Sequence, residues 1–187
     1  VPRAMQRFNA AFPRVNVQLL TLNTAALKEK FARGECDVIL TTEAEKVPGS
    51  ECLATKPLVW VGAIGGAAWR QRPLNLAQGR HCIFRPFVLR ALDDADFPWI
   101  MSVDSDSDRT LEATVSADLA LLALLEGTLP PHLEPVDHGG ALPPLPERYI
   151  NMYGSGTNGG EVLQAMMTLL RDAFDETPVR AKLKVAG

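Results

Sequence analysis

Arg85 carries the clearest chemical potential in this chain. The run His81–Phe84 before it reads as a strand, so the guanidinium would stand just past a strand end. It would offer a planar fork there to a carboxylate or another anion. Phe87, two residues on, would wall the same place. Other hydroxyl and amide groups occupy equivalent positions. Thr21, Asn23 and Thr24 bracket a helix start, where free backbone N–H groups favour an anion, although the same residue types also serve as ordinary caps. Thr41, Thr42 and Glu43 close the apolar run Cys36–Leu40, and Ser105 and Ser107 follow the run Trp99–Val103. This set is suited to holding a small polar molecule, and it contains no nucleophile–base pair.

The motifs that would imply other chemistry do not complete. Asp104-Ser105-Asp106-Ser107-Asp108 opens like a calcium loop, but Arg109 and Val115 stand where glycine and glutamate are required. Gly154-Ser155-Gly156-Thr157-Asn158-Gly159 fits G-x-G-x-x-G between a strand and a helix. A dinucleotide site also needs a further strand and an acidic residue about twenty positions on. Only 13 residues follow Phe174. Ser155 lacks the G-x-S-x-G elbow. Cys36, Cys52 and Cys82 are odd in number and form no C-x-x-C pair, and His132 and His138 lie far from His81. The expectation is therefore no metal, no cofactor, no disulfide framework, no enzyme, and a reducing cytoplasm.

The elements that must position these groups follow from hydrophobic spacing. Met5, Phe8 and Phe12 make a helical stripe between Pro2 and Pro13, and Val15, Val17 and Leu19 alternate with polar residues as a strand does. Leu27 and Phe31 share a second helix that ends at Gly34, before the strand Cys36–Leu40. That order predicts a parallel βαβ unit. Farther on, strands are expected at Leu58–Ala63, His81–Phe84, Trp99–Val103, Leu133–Val136 and Arg148–Tyr153. Helices are expected at Val88–Asp96, from Asp108, and at Glu161–Phe174, with a loop at 65–79 that holds one weak turn around Trp69. Alternating elements predict an α/β protein with mostly parallel sheets, whose ligand lies beyond the carboxyl ends of the strands.

Composition narrows the class further. The chain has 187 residues, 47% hydrophobic and 22% charged, with a net charge of −3. These values describe a globular protein, not a disordered one or a collagen-like fibre. The acidic balance lacks the footprint of a free-standing nucleic-acid-binding domain. The longest uncharged stretches, Val15–Leu27 and Pro57–Trp69, span 13 residues each, short of the roughly 20 needed to cross a membrane.

Several segments, taken in order, resemble the effector-binding domain of LysR-type transcriptional regulators. They are V-P-R-A-M-Q-R-F-N-A-A-F-P-R-V-N-V-Q-L, A-A-L-K-E-K-F-A-R-G-E-C-D-V-I-L, P-L-V-W-V-G and V-S-A-D-L-A-L-L-A-L-L. The resemblance implies two α/β lobes of the periplasmic-binding-protein type joined by two crossover strands, with residues 1–78 and 150–187 in one lobe and 79–149 in the other. It implies a small-molecule effector, such as a carboxylate, in the cleft. It also implies a homodimer or tetramer, contacting through the first helix and a helix of the second lobe. Contact with DNA would be made only through a winged helix-turn-helix that the chain does not include. The family's first strand is also missing ahead of Val1, so the native chain is expected to continue upstream. Asp118 stands where the family has glycine, and aspartate tolerates the left-handed conformation needed there. The alternative on the same architecture is a solute-binding protein serving a transporter.

Overall fold

A computed structural model describes residues 2–154 and 160–175. Helix α1 (Pro2–Ala11) is followed by an extended segment and α2 (Thr24–Ala32). Strands β1 (Val38–Glu43) and β2 (Glu51–Ala63), a 3-10 turn at Ala68–Arg70 and strand β3 (Leu74–Leu76) come next. Helix α3 (Arg85–Asp94), strand β4 (Trp99–Met101) and helix α4 (Asp108–Ser116) precede β5 (Leu122–Leu125) and β6 (Leu133–Pro135). The described chain closes with β7 (Glu147–Gly154) and α5 (Gly160–Asp175).

The α/β class is as expected, but the sense of the sheets is not. The large sheet runs β1-β7-β2-β5, with β6 also on β2, and each of these pairings is antiparallel. Among the described residues, parallel pairing is confined to β3 with β4 and a single bridge from Leu76 to Leu121. The predicted βαβ unit fails because Val15–Leu19 forms no ladder. Val15 and Val17 are half-buried while Asn16 and Gln18 are exposed, so the alternation survives without a pairing partner. The partner of β1 comes instead from β7, more than a hundred residues away, with Val38 opposite Gly154 and Glu43 opposite Tyr149.

Two further expectations are corrected. His81–Phe84 is a pair of turns rather than a strand, because Pro86 sets the first turn of α3 and draws the helix start back to Arg85. The 65–79 stretch has the turn expected around Trp69, as the 3-10 turn Ala68–Arg70, but it also holds β3 where only loop was expected. By contrast, α2 ends as predicted: Gly34 at φ 71° and Glu35 return their N–H groups to Phe31 and Lys30, a Schellman closure.

Apolar burial is divided among three clusters. Ala4, Met152 and Leu170 join α1, β7 and α5, with Val38, Leu40 and Leu53 packed against them. Trp60, Leu74, Leu76, Val88 and Leu92 form a second cluster, and Val61, Leu111, Val115, Leu122 and Leu133 a third. The last two lie on opposite faces of the β2–β5 ladder, since Trp60 and Val61, like Leu121 and Leu122, alternate between them. Asp118 adopts φ 57°, and its carboxylate accepts from the N–H groups of Ala67 (2.8 and 3.0 Å) and Ala68 (2.9 Å), capping the 3-10 turn. Among the described residues no helix is long and apolar enough to cross a membrane.

Candidate functional site

Strand β7 brings polar chemistry together on both of its faces. On the face of Tyr149, Asn151 and Tyr153 the focus is Glu43, the last residue of β1, which stands opposite Tyr149. Its Oε2 accepts from Lys28 Nζ of α2 at 2.6 Å, and its Oε1 accepts from the hydroxyls of Thr41 and Tyr153, both at 2.6 Å. Lys28 also lies 5.2 Å from the centroid of the Tyr153 ring, which stacks obliquely on Phe31. Burial works against the Glu43 carboxylate. Hydrogen bonds from Lys28, Thr41, Tyr153 and Asn151 together outweigh it and hold the pKa at about 2. The Glu43 hydrogen bond correspondingly raises the pKa of Lys28.

The predicted residues around α2 join this region through few contacts. Asn23 caps α2, its Oδ1 accepting from Ala26 N at 2.9 Å, and Thr24 donates to the Thr42 carbonyl at 3.3 Å. Thr41 is buried and committed to Glu43, while Thr21 is exposed. Their groups are therefore largely occupied in fastening α2 to the end of β1.

At the amino end of β7 stands Arg148, which the sequence-based selection missed. It is 4% exposed, and its guanidinium carbon lies 3.4 Å from the centroid of Phe87 on α3. Nη1 donates to the Glu147 carbonyl at 3.0 Å. Nε and Nη2 are fully buried and have no hydrogen-bond partner. Burial without a counter-ion pushes the guanidinium pKa down. Its inward position, on the same strand face as Met152, emerges only from the register of β7, since a lone cation in R-Y-I-N-M-Y otherwise reads as solvent-facing.

Phe87 is thus placed against a functional group, but the group is Arg148 and not Arg85. Arg85 opens α3 instead of following a strand, and its charge helps lower the pKa of Asp104 after the larger hydrogen-bond effect of Arg80. Asp104 pairs directly with Arg80, and Asp106 pairs with His81 at 2.8 Å. Ser105 Oγ accepts from Ser107 N at 3.1 Å, and Ser107 leads into α4 without a side-chain cap. Among the described residues no hydrogen bond or ion pair links Arg85, Ser105 or Ser107 to Glu43 or Arg148.

A cavity of about 250 Å³ lies elsewhere, lined by Gly65, Gly66, Trp69, Asp118 and Glu134 among others. Two of its carboxylates are already engaged, Glu134 with Gly65 N at 2.7 Å and Asp118 with the 3-10 turn. A second depression, of about 310 Å³, is lined by Asp93, Asp96, Phe97, Pro98 and Trp99. None of the predicted site residues lines either one. Most of the Gly154–Gly159 motif, residues 155–159, lies outside the described residues.

Comparison with known proteins places this arrangement in a family. Residues 1–175 match the family model described as LysR substrate binding domain. The HTH-type transcriptional regulator PecT of Dickeya dadantii (strain 3937) is 21% identical over 174 residues. That alignment takes in 91% of this chain and 54% of PecT, so the chain spans about half the length of this curated relative. The CcmR regulatory domain of Synechocystis PCC6803, solved in complex with 2-PG, is similar in fold at a TM-score of 0.70 and 14% identity, covering 95% of this chain and 92% of that one. The BenM effector binding domain with its effector benzoate gives a TM-score of 0.64 at 12% identity, covering 94% and 86%. A family match along nearly the whole chain, together with the fold shared by these regulatory domains, leads to one assignment: this chain belongs to the LysR substrate-binding domain family.

Proposed function

We propose that this chain is the effector-sensing part of a LysR-type transcriptional regulator, binding a small molecule where two α/β lobes meet. The observation that carries the reading is the course of β2 and β7. These strands pair over Glu51–Pro57 and Glu147–Met152, and β2 then continues into a separate ladder with β5 and β6. Leu53 and Met152 pack in the α1–α5 cluster, whereas Trp60 and Val61 belong to the other two. Two strands threading between separate cores make a natural hinge, and a ligand in the crevice would shift the lobes by its differential affinity for their arrangements.

The first lobe takes α1, α2, β1, the paired part of β2 and β7, and α5. The second begins near Leu58 instead of after residue 78, because Trp60, Ala68, Leu74 and Leu76 pack with Val88 and Leu92. Thr21, Asn23, Thr24, Thr41 and Thr42 lie on the first-lobe side, and Arg85, Phe87, Ser105 and Ser107 on the second. A cytoplasmic homodimer or tetramer contacting through α1, with DNA bound by a separate winged helix-turn-helix, completes the proposal.

The test is a thermal-shift screen of this chain against small carboxylates, aromatics and amino acids, followed by amide hydrogen exchange with each stabilising compound. The expected result is protection at 51–58 and 146–150 together with elements of both lobes. Protection confined to one lobe would refute an interlobe effector site.

A further inference from the structure

We propose that Arg148 is an anion receptor, its Nε–H and Nη2–H forming a side-on fork for one carboxylate or phosphate group of the ligand. The proposal deepens the effector-domain reading and rests on it. Arginine's five N–H donors lie in one plane, and the Nε/Nη2 edge presents two of them in parallel, matching the two oxygens of an oxyanion. That edge is the one left unpaired here, while Nη1 is held by the Glu147 carbonyl. Phe87 covers one flat face of the guanidinium and so directs a partner to its edge.

A second observation points the same way. Lys56 on β2 is the register partner of Arg148, so two cationic side chains stand opposite each other on one face of the β2–β7 ladder. Like charges in directly opposed positions destabilise a sheet. Neither residue has an ion pair among the described residues, whereas Lys28, Lys30, Arg33, Arg80 and Arg171 are each matched to a carboxylate. An unpaired guanidinium at 4% exposure and a second cation beside it together form a positive locus suited to an anion. The locus lies where β7 meets α3, so occupation of the fork bears directly on how α3 sits against the hinge strands. Nε and Nη2 are sealed here, and entry therefore requires α3 and β7 to part.

Thermal melts of the whole chain in sodium benzoate, sodium succinate and sodium phosphate, with sodium chloride at equal ionic strength and neutral benzamide as controls, test this assignment. Wild type should show saturable stabilisation by at least one oxyanion and none by chloride. The anions that succeed distinguish carboxylate from phosphate recognition. Arg148→Met should abolish the effect. Arg148→Lys, which keeps the charge but not the fork, should weaken apparent affinity at least tenfold, with circular dichroism confirming that both variants fold. Equal affinity in wild type and either variant, or no stabilisation by any of the three oxyanions, overturns the assignment. Stabilisation by benzamide equal to that by benzoate in wild type and in Arg148→Met would also overturn it, yet would leave the effector-domain reading intact.

Discussion

On one face of β7, Tyr153 and Asn151 help Lys28 and Thr41 surround the Glu43 carboxylate with donors. On the other face Arg148 is still more deeply buried, yet it holds one hydrogen bond to the carbonyl of its own neighbour. A buried charge is costly unless its hydrogen bonds are met within the protein, and only Glu43 meets that condition. The contrast separates a charge that maintains the fold from one maintained for a partner. Arginine's constant ionisation makes the second arrangement workable, since a carboxylate left unpaired would take up a proton instead.

The sharpest way to break this contrast is to remove the satisfied charge. Glu43→Ala strands the Lys28 ammonium and the Thr41 and Tyr153 hydroxyls, and should cost about 2–4 kcal/mol in urea unfolding. A loss below about 1 kcal/mol would show that the cluster is not structural. The same carboxylate should govern acid stability. Its folded pKa of about 2 lies below the ordinary value of 4.5, so the stabilisation is complete above about pH 4.5 and disappears as pH falls toward 2. The fall should amount to about 1–3 kcal/mol by chemical denaturation across that window, and Glu43→Gln should flatten it. Asn23→Ala removes the cap of α2 and should cost about 1 kcal/mol. If anion binding is unchanged in that variant, the α2 terminus is structural. Smallest in magnitude and opposite in sign, Arg148→Met in anion-free buffer should leave stability unchanged or raise it by up to about 1 kcal/mol. A loss as large as that of Glu43→Ala would erase the distinction between the two faces.

Much of the fold was legible where local pattern and local structure coincide. The Phe8 stripe, the Gly34 closure and the left-handed Asp118 depend on residues a few positions apart, and each forms as read. The sense of pairing was not legible, because periodicity describes a strand's faces and is silent about its neighbour. Glu43 finds Tyr149 across more than a hundred residues, and Val15–Gln18 has the alternation of a strand without the ladder. Leu74–Leu76 is too short to show a period, and the apolar run His81–Phe84 imitated one that Pro86 overrode. The hydroxyl-bearing residues beside α2 and β1 could be picked out because they stand at the ends of elements. Arg148 could not, since a single cation in a strand reads as solvent-facing until its face is known.

The register of β2 against β7 slips between Cys52 and Ala54, leaving Leu53 as an extra residue on the longer strand. The bulge lets Cys52 and Ala54, two residues apart, take opposite faces, so the ladder beyond it keeps its pairing: Lys56 meets Arg148, and Trp60 and Val61 each reach their own apolar layer. Excision of Leu53 would set Cys52 beside Ala54 opposite Asn151 and Ile150, closing the bulge without turning any later side chain over. What the insertion supplies is therefore local: one more apolar side chain against the α1–α5 cluster, and a bend in β2 at that point.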